Sequence, residues 1–284
     1  MANTKITNPE LFNLGDSTSA TQLPVMTITQ RTAMTGLSDG EMIFNSTTDK
    51  VEYWDGTKWY GITYEVIYPT SLNMFLKAGN TTSYPGTGTT WFDLTSNANN
   101  GAISGASFSS LDKGYFSFDG INDFVNTGSS TTKALPMSVA MWINPGSSFS
   151  PRGVIYSNYD TSTTNGFYIR LETSGKFQID AYNKPPGGVY YRTLINQTGS
   201  ALPLNQWSHC VFTFDTSNVK IYLNKVLDAQ VATNAQGIGF TSSFDTSLAR
   251  RAGGDYFSGK ISQARVYDVT LTQAEIIALY DEGR

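Results

Sequence analysis

The chain of 284 residues contains one cysteine, Cys210, and one histidine, His209. A single thiol excludes a disulfide scaffold. With one imidazole, any Ser-His-Asp arrangement would have to run through His209, and a zinc site built on His209 and Cys210 is disfavoured because neighbours on a strand point to opposite faces. Charge is also sparse: Asp, Glu, Lys and Arg make up 15% of the residues, the net charge is -4, and Arg250-Arg251 is the only adjacent basic pair. No basic stripe can track a phosphate backbone, so a nucleic-acid partner is not expected. No run of about 18 apolar residues occurs, so no membrane insertion is expected either. The stretch MANTKITNPELFNL (1–14) lacks the charged head and apolar centre of a signal peptide.

Aromatic residues are plentiful at 13%, and Gly, Ser, Thr and Asn are frequent. This is the composition of an all-β, loop-rich protein. Within the alternating run WSHCVFTFD (207–215), Cys210 reads as a small buried apolar residue. Other strands show the same period of two. In VKIYLN, Val219, Ile221 and Leu223 point one way; in GFYIRLE, Phe167, Ile169 and Leu171 do so. SVAMWIN is apolar on both faces and is expected to be a central, doubly covered strand. Near the end, Thr272-Gln273-Ala274-Glu275 forms a capping box that predicts a helix over Gln273 to Tyr280, packing through Ile276, Ile277, Leu279 and Tyr280. It is the only helix the sequence predicts.

Residues 1 to about 30 are polar, carry Pro9 and Pro24, and show no sustained period, which predicts an extended arm that needs a partner surface. GEMIFNSTTDKVEYWDGTKWYGI (40–62) then breaks into EMIFN, KVEYW and KWYGI at the turn sequences STTD and DGT, predicting a three-stranded meander. A unit this small buries little by itself. Phe44, Tyr53, Trp54, Trp59 and Tyr60 are therefore expected to serve oligomerisation or attachment; packing on the chain's own remaining domain is the alternative. TYEVIYPTS (63–71), with Pro69, marks the boundary between an N-terminal part, 1–63, and a second domain, 64–284.

FDGINDFV (118–125), SVAMWINP (138–145), WSHCVFTFD with VKIYLN, and FSGKISQARVYDVTLTQAEI (257–276) together resemble the laminin-G-like, concanavalin-A-like jelly-roll family. SLNMFLKAGNTTSYPGTGTTWFDLTSNANNGAISG (71–105) is similar to the version of this domain found in bacteriophage virion proteins. The Trp-Asp-Gly segment of the meander resembles the attachment or trimerisation unit near the N-termini of phage tail fibres. The resemblance implies a two-sheet antiparallel jelly-roll sandwich ending in one short helix, preceded by an extended arm and a small β-meander. It also implies calcium at a rim. Asp119 and Asp123 flank the turn GIN and, with Asn122, offer the oxygens a hard cation needs, joined by Asp93 and Asp255 if their loops meet. The alternative is that Asp119 stabilises a tight turn by accepting backbone hydrogen bonds. No cofactor is required by either reading.

For glycan recognition, NKPPGGVYYR (183–192) supplies Tyr190, Tyr191, Asn183 and Arg192 around a rigid turn, and SNYDTSTTNG (157–166), read as a long loop, supplies Asn158 and Tyr159. The whole is expected to be a tailed-phage virion protein made in the host cytoplasm. It would contact other virion proteins through its N-terminal segment, form a homo-trimer, and adhere to host-surface polysaccharide as a fibre, spike or decoration component. A purely structural capsid or tail decoration protein is the alternative. Polysaccharide hydrolysis needs a carboxylate pair about 5 to 10 Å apart, and no motif sets such a pair apart, so no enzyme is expected.

Overall fold

The computed structural model describes residues 23–48, 50–61, 71–128, 131, 134–148, 152–160, 165–183, 191–195, 199–232 and 245–284. The chain divides into two compact units, residues 1–67 and 68–284. The linker expected around Pro69 lies outside the described residues, as do residues 1–22 of the expected arm.

In the first unit, β1 (Val25–Met26), α1 (Ile28–Thr32), β2 (Met42–Asn45), β3 (Lys50–Trp54) and β4 (Trp59–Gly61) follow in order. The expected meander is present: β2, β3 and β4 pair antiparallel, with Phe44 opposite Val51, Tyr53 opposite Tyr60 and Trp54 opposite Trp59. Asp55 makes the second turn by accepting the N–H groups of Thr57 and Lys58, each at 2.8 Å. Two elements correct the extended-arm expectation. β1 adds to β2 in parallel, and α1 is a short helix capped by Thr27 and Gln30. The Thr-x-x-Gln signature at 27–30 satisfies the first helical amides and so favours a turn of helix over an extended chain.

Glu52, only 5% exposed, ties this unit together. Its carboxylate accepts from Arg31 Nη1 at 2.6 Å, Asn45 Nδ2 at 2.9 Å and Thr48 Oγ1 at 3.2 Å. Burial alone would push this carboxyl up, but these donors and the Arg31 charge hold it below its ordinary value.

The second unit runs β5 (Leu72–Lys77), β6 (Thr90–Trp91), β7 (Gly101–Ser104), β8 (Ser107–Ser109), β9 (Tyr115–Asp119), β10 (Phe124–Gly128), β11 (Met137–Pro145) and β12 (Gly153–Asp160). It continues through β13 (Asn165–Leu171), β14 (Phe177–Asn183), β15 (Tyr191–Ile195), β16 (Ser208–Phe214), β17 (Asn218–Leu223), β18 (Val226–Ala232), β19 (Thr246–Leu248), β20 (Ser258–Tyr267) and α2 (Gln273–Glu282). Among the described residues, these strands form two antiparallel sheets. One has the order β15-β14-β13-β12-β19-β10-β7-β6; the other has β18-β17-β16-β11-β20-β9-β8, with β5 also on β20. This is the expected jelly-roll sandwich.

The core lies between the sheets. Val139, Met141 and Ile143 of β11 enter it beside Phe167, Ile169 and Leu171 of β13 and Val219, Ile221 and Leu223 of β17. Strand β11 is buried along its whole length because its other face is covered too: Ala140 joins a second cluster with Phe75, Tyr222, Tyr267 and Ile276. Helix α2 supplies that cover. Its capping box is realised, with Glu275 N–H donating to Thr272 Oγ1 at 3.3 Å and Thr272 N–H to Glu275 Oε2 at 2.7 Å. Ile276 is fully buried, but Ile277 is 38% exposed and does not belong to the packing face. One residue further along a helix turns about 100° away, which takes Ile277 off the sheet. The guanidinium of Arg265 pairs with Glu282 and lies 4.0 Å from the Phe75 ring.

Candidate functional site

The three strands β12, β13 and β14 are half core and half site because side chains alternate across a sheet. Phe167, Ile169, Phe177, Ile179 and Ala181 face the sandwich interior. The opposite face presents Tyr168 and Arg170 from β13 and Gln178, Asp180 and Tyr182 from β14. Registry aligns them: Ser157 stands opposite Tyr168 and Tyr168 opposite Asp180, while Gly166 lies between Tyr159 and Tyr182. Gly166 has φ +95°, and a Cβ there would collide with the Asn158 carbonyl. A glycine at this point lets the strands approach and leaves space above it for the two flanking rings.

Those rings meet. Tyr159 and Tyr182 have centroids 5.3 Å apart, Tyr159 meets Tyr168 edge-on at 5.3 Å, and the Tyr168 and Tyr182 hydroxyls are 3.5 Å apart. Two guanidinium groups flank the cluster. Arg251 lies 5.1 Å from the Tyr168 ring and 6.0 Å from that of Tyr159; Arg170 lies 5.8 Å from Tyr168. Each is held by acid groups: Arg251 by Asp255 at 2.9 Å, and Arg170 by Glu172 and, at 3.5 Å, Asp180. Gln178 Nε2 donates to Asp180 Oδ2 at 3.1 Å. Burial, then the Tyr182 hydroxyl and the Asp180 charge, push the Tyr168 phenol up, so it stays protonated and able to donate.

Tyr168, Gln178 and Asp180 are buried, whereas Tyr159, Tyr182, Arg170 and Arg251 are half-buried, so the arrangement offers two ring faces for stacking with guanidinium groups beside them. Its carboxylates are engaged with cations. That combination suits recognition of a polar, ring-shaped ligand.

The sequence-derived candidates divide. Tyr159 belongs to the cluster. Asn158 does not: it is fully buried, with Nδ2 3.3 Å from Thr246 Oγ1, because the neighbour of an outward residue on a strand faces inward. Residues 157–160 are strand rather than long loop. Asn183 ends β14, half-buried, opposite Tyr191; Arg192 stands in register with Tyr182. Tyr190 lies outside the described residues, and of Tyr191 and Arg192 only the backbone is described. Tyr168, Tyr182, Arg170, Asp180 and Arg251 were not expected. The signal for four of them was the outward half of the alternation in GFYIRLE and FQIDAYN.

The carboxylates named as calcium candidates accept hydrogen bonds or pair with a cation of the chain. Asp119 Oδ1 accepts the N–H groups of Ile121 at 2.7 Å and Asn122 at 3.3 Å, and Asp123 Oδ2 accepts that of Asp119 at 3.0 Å. Asp93 binds the amides of Phe75, Thr95 and Asn99, and Asp255 pairs with Arg251. Among the described residues, no group of three or more His, Cys, Asp or Glu side chains could hold a metal ion. The contacts of Asp119 and Asp123 are those of turn residues, as the alternative reading of Asp119 expects. Thermal melts with and without chelator are expected to coincide; a drop with chelator that Asp123→Ala abolishes would establish a cation instead.

The two-sheet jelly-roll sandwich defines the class of protein. Residues 118–277, more than half of the chain, match the model of the concanavalin A-like lectin/glucanases superfamily, and the chain belongs to that superfamily. Residues 3–83 match the model of a phage tail like trimerisation region. Among solved structures, domain 4 of AbnA, an extracellular arabinanase from Geobacillus stearothermophilus solved with arabinotriose, has a TM-score of 0.57 at 18% identity, covering 74% of this chain and 98% of that one. The binding domain of botulinum neurotoxin serotype G has a TM-score of 0.53 at 13% identity over 74% of this chain and 51% of that one. The binding domain of Paraclostridial Mosquitocidal Protein 1 has a TM-score of 0.53 at 16% identity over 75% and 52%. The chain thus spans about half the length of the two toxin domains. At these identities the likeness establishes the fold. No curated protein sequence matches the chain. Among the described residues, no helix is long and apolar enough to cross a membrane.

Proposed function

We propose that this protein is a bacteriophage particle component, a fibre, spike or decoration subunit, that trimerises and docks to other virion proteins through its N-terminal unit and adheres to host-surface polysaccharide through the jelly roll. The observation that carries the adhesion reading is the convergence of Tyr159, Tyr168 and Tyr182 with Arg170 and Arg251 on the sheet face away from the core. Sugar rings present C–H faces that stack on aromatic rings, and their hydroxyls need donors and acceptors close by. The trimerisation-region match supports the N-terminal role, and the arabinotriose in the related arabinanase domain supports a saccharide ligand. One small polar site binds weakly; several copies on one particle raise avidity by about 10² to 10⁴.

Purified protein added to host cells is expected to bind them and to compete with adsorption of the phage. A second reading, a decoration protein making protein contacts only, draws on the engagement of both arginines by acid groups within the chain. Protein that neither binds cells nor slows adsorption, even as an oligomer, would make that reading the stronger one.

A further inference from the structure

We infer that the open face of the N-terminal sheet, formed by Val25, Met42, Phe44, Val51, Tyr53 and Tyr60, is the surface through which three copies of this chain pack together. This rests on the trimerisation reading above and names the surface responsible.

Registry fixes which residues share that face, since paired residues point to the same side of a sheet. Val25 is aligned with Phe44, Phe44 with Val51, Met42 with Tyr53, and Tyr53 with Tyr60. The other face carries Ile43, Asn45 and Glu52, all buried, and Arg31 of α1 reaches Glu52 there. The two faces therefore differ in kind. Lys50 and Glu52, the charged residues of the four strands, both belong to the helix side. The open side carries none of the charged residues of the strands and is apolar apart from Lys58, which precedes β4 and places Nζ 4.6 Å from the Tyr60 ring. It is incompletely covered, with Val25 58% and Tyr60 39% exposed and the Tyr53 and Tyr60 rings stacked at 5.6 Å.

An apolar surface with a single cation at its edge meets its own copy with little like-charge repulsion, and the trimerisation-region match over residues 3–83 selects a second copy as the occupant. Four short strands with one open apolar face also need packing to be stable. Three copies turned about one axis close the assembly and leave no open face. The five aromatic residues assigned to oligomerisation then divide: Phe44, Tyr53 and Tyr60 lie at the contact, while Trp54 and Trp59, which pair with each other, lie on the helix side.

The test uses the full chain and measures mass by light scattering. Wild type is expected at three times the chain mass, Phe44→Glu and Tyr60→Glu at one, and Lys50→Glu on the other face still at three. Tyr60→Ser guards against misfolding, since a serine at an already exposed position leaves the single copy intact while weakening the contact. Tyr60→Cys adds a covalent readout. Cys210 is buried, so the new thiol is the one available, and a short bis-maleimide should link copies. A trimeric wild type whose Phe44 and Tyr60 variants stay trimeric and do not cross-link would overturn the assignment and leave trimerisation standing through another surface. A monomeric wild type would overturn trimerisation itself.

Discussion

Changing Tyr159 and Tyr182 together to alanine is expected to lower polysaccharide binding about tenfold per site, and by about a hundredfold or more for the trimer on a cell surface. An aromatic contact contributes about 0.5–1.5 kcal/mol beyond the area it buries, so two rings are worth roughly one decade or more at a single site. A multivalent particle multiplies that loss across its engaged sites. These two tyrosines are only half-buried, whereas Tyr168 is 5% exposed and its removal would test packing rather than binding. Folding should survive, because both rings lie on the face away from the core cluster. The measurement is a cell-binding titration of wild type and variant at matched oligomeric state. Unchanged binding by a folded double variant would move recognition off this face.

The large pattern of the fold was legible because it follows two short periods. Alternation in VKIYLN and GFYIRLE and the apolar run SVAMWIN placed the core strands, and the Thr272 to Glu275 box placed α2. What escaped reading depends on contacts distant in sequence. Helix α1 has five residues and buries none of them; the Arg31 to Glu52 pair that anchors it spans 21 positions. Asn158 falls in SNYDTSTTNG, whose polar composition reads as a loop and so assigns it no face. An irregularity between Val154 and Tyr156 shifts the parity of β12, so Tyr156 and Asn158 turn inward while Tyr159 turns outward. Arg251 follows β19 directly, and β19 pairs with β12, so only the sheet order brings it beside Tyr168. The candidate site is therefore a product of topology, with Tyr159 its one member visible in advance.

The sole histidine is expected to make the protein lose stability as pH falls from about 6.5 to 4. His209 is 3% exposed on β16, between the Trp142 ring at 5.1 Å and the Tyr280 ring of α2 at 6.1 Å. Burial, reinforced by the positive charge of Arg265, lowers its pKa to about 4. An unfolded imidazole takes up its proton near 6.5. Between these values the unfolded chain binds a proton that the folded chain refuses, so the stability present above pH 6.5 declines on acidification and levels off near 4. The loss is about 3 kcal/mol, since each unit of separation corresponds to about 1.4 kcal/mol. Glu282 acts lower on the scale. Burial would raise its carboxyl, but Arg265 holds it below the ordinary value, so its contribution is complete above the unfolded pKa of 4.5 and is lost only as pH falls further. No other side chain of this sequence ordinarily titrates between 5 and 8. Urea unfolding across pH 4.5 to 7 should therefore show a slope in wild type, and His209→Phe, which keeps a ring beside Trp142 but has no proton to take up, should flatten it. A wild-type slope that persists in the variant would assign the acid sensitivity to the carboxylates, and a flat wild type would mean that α2 opens to let the imidazole ionise within the fold.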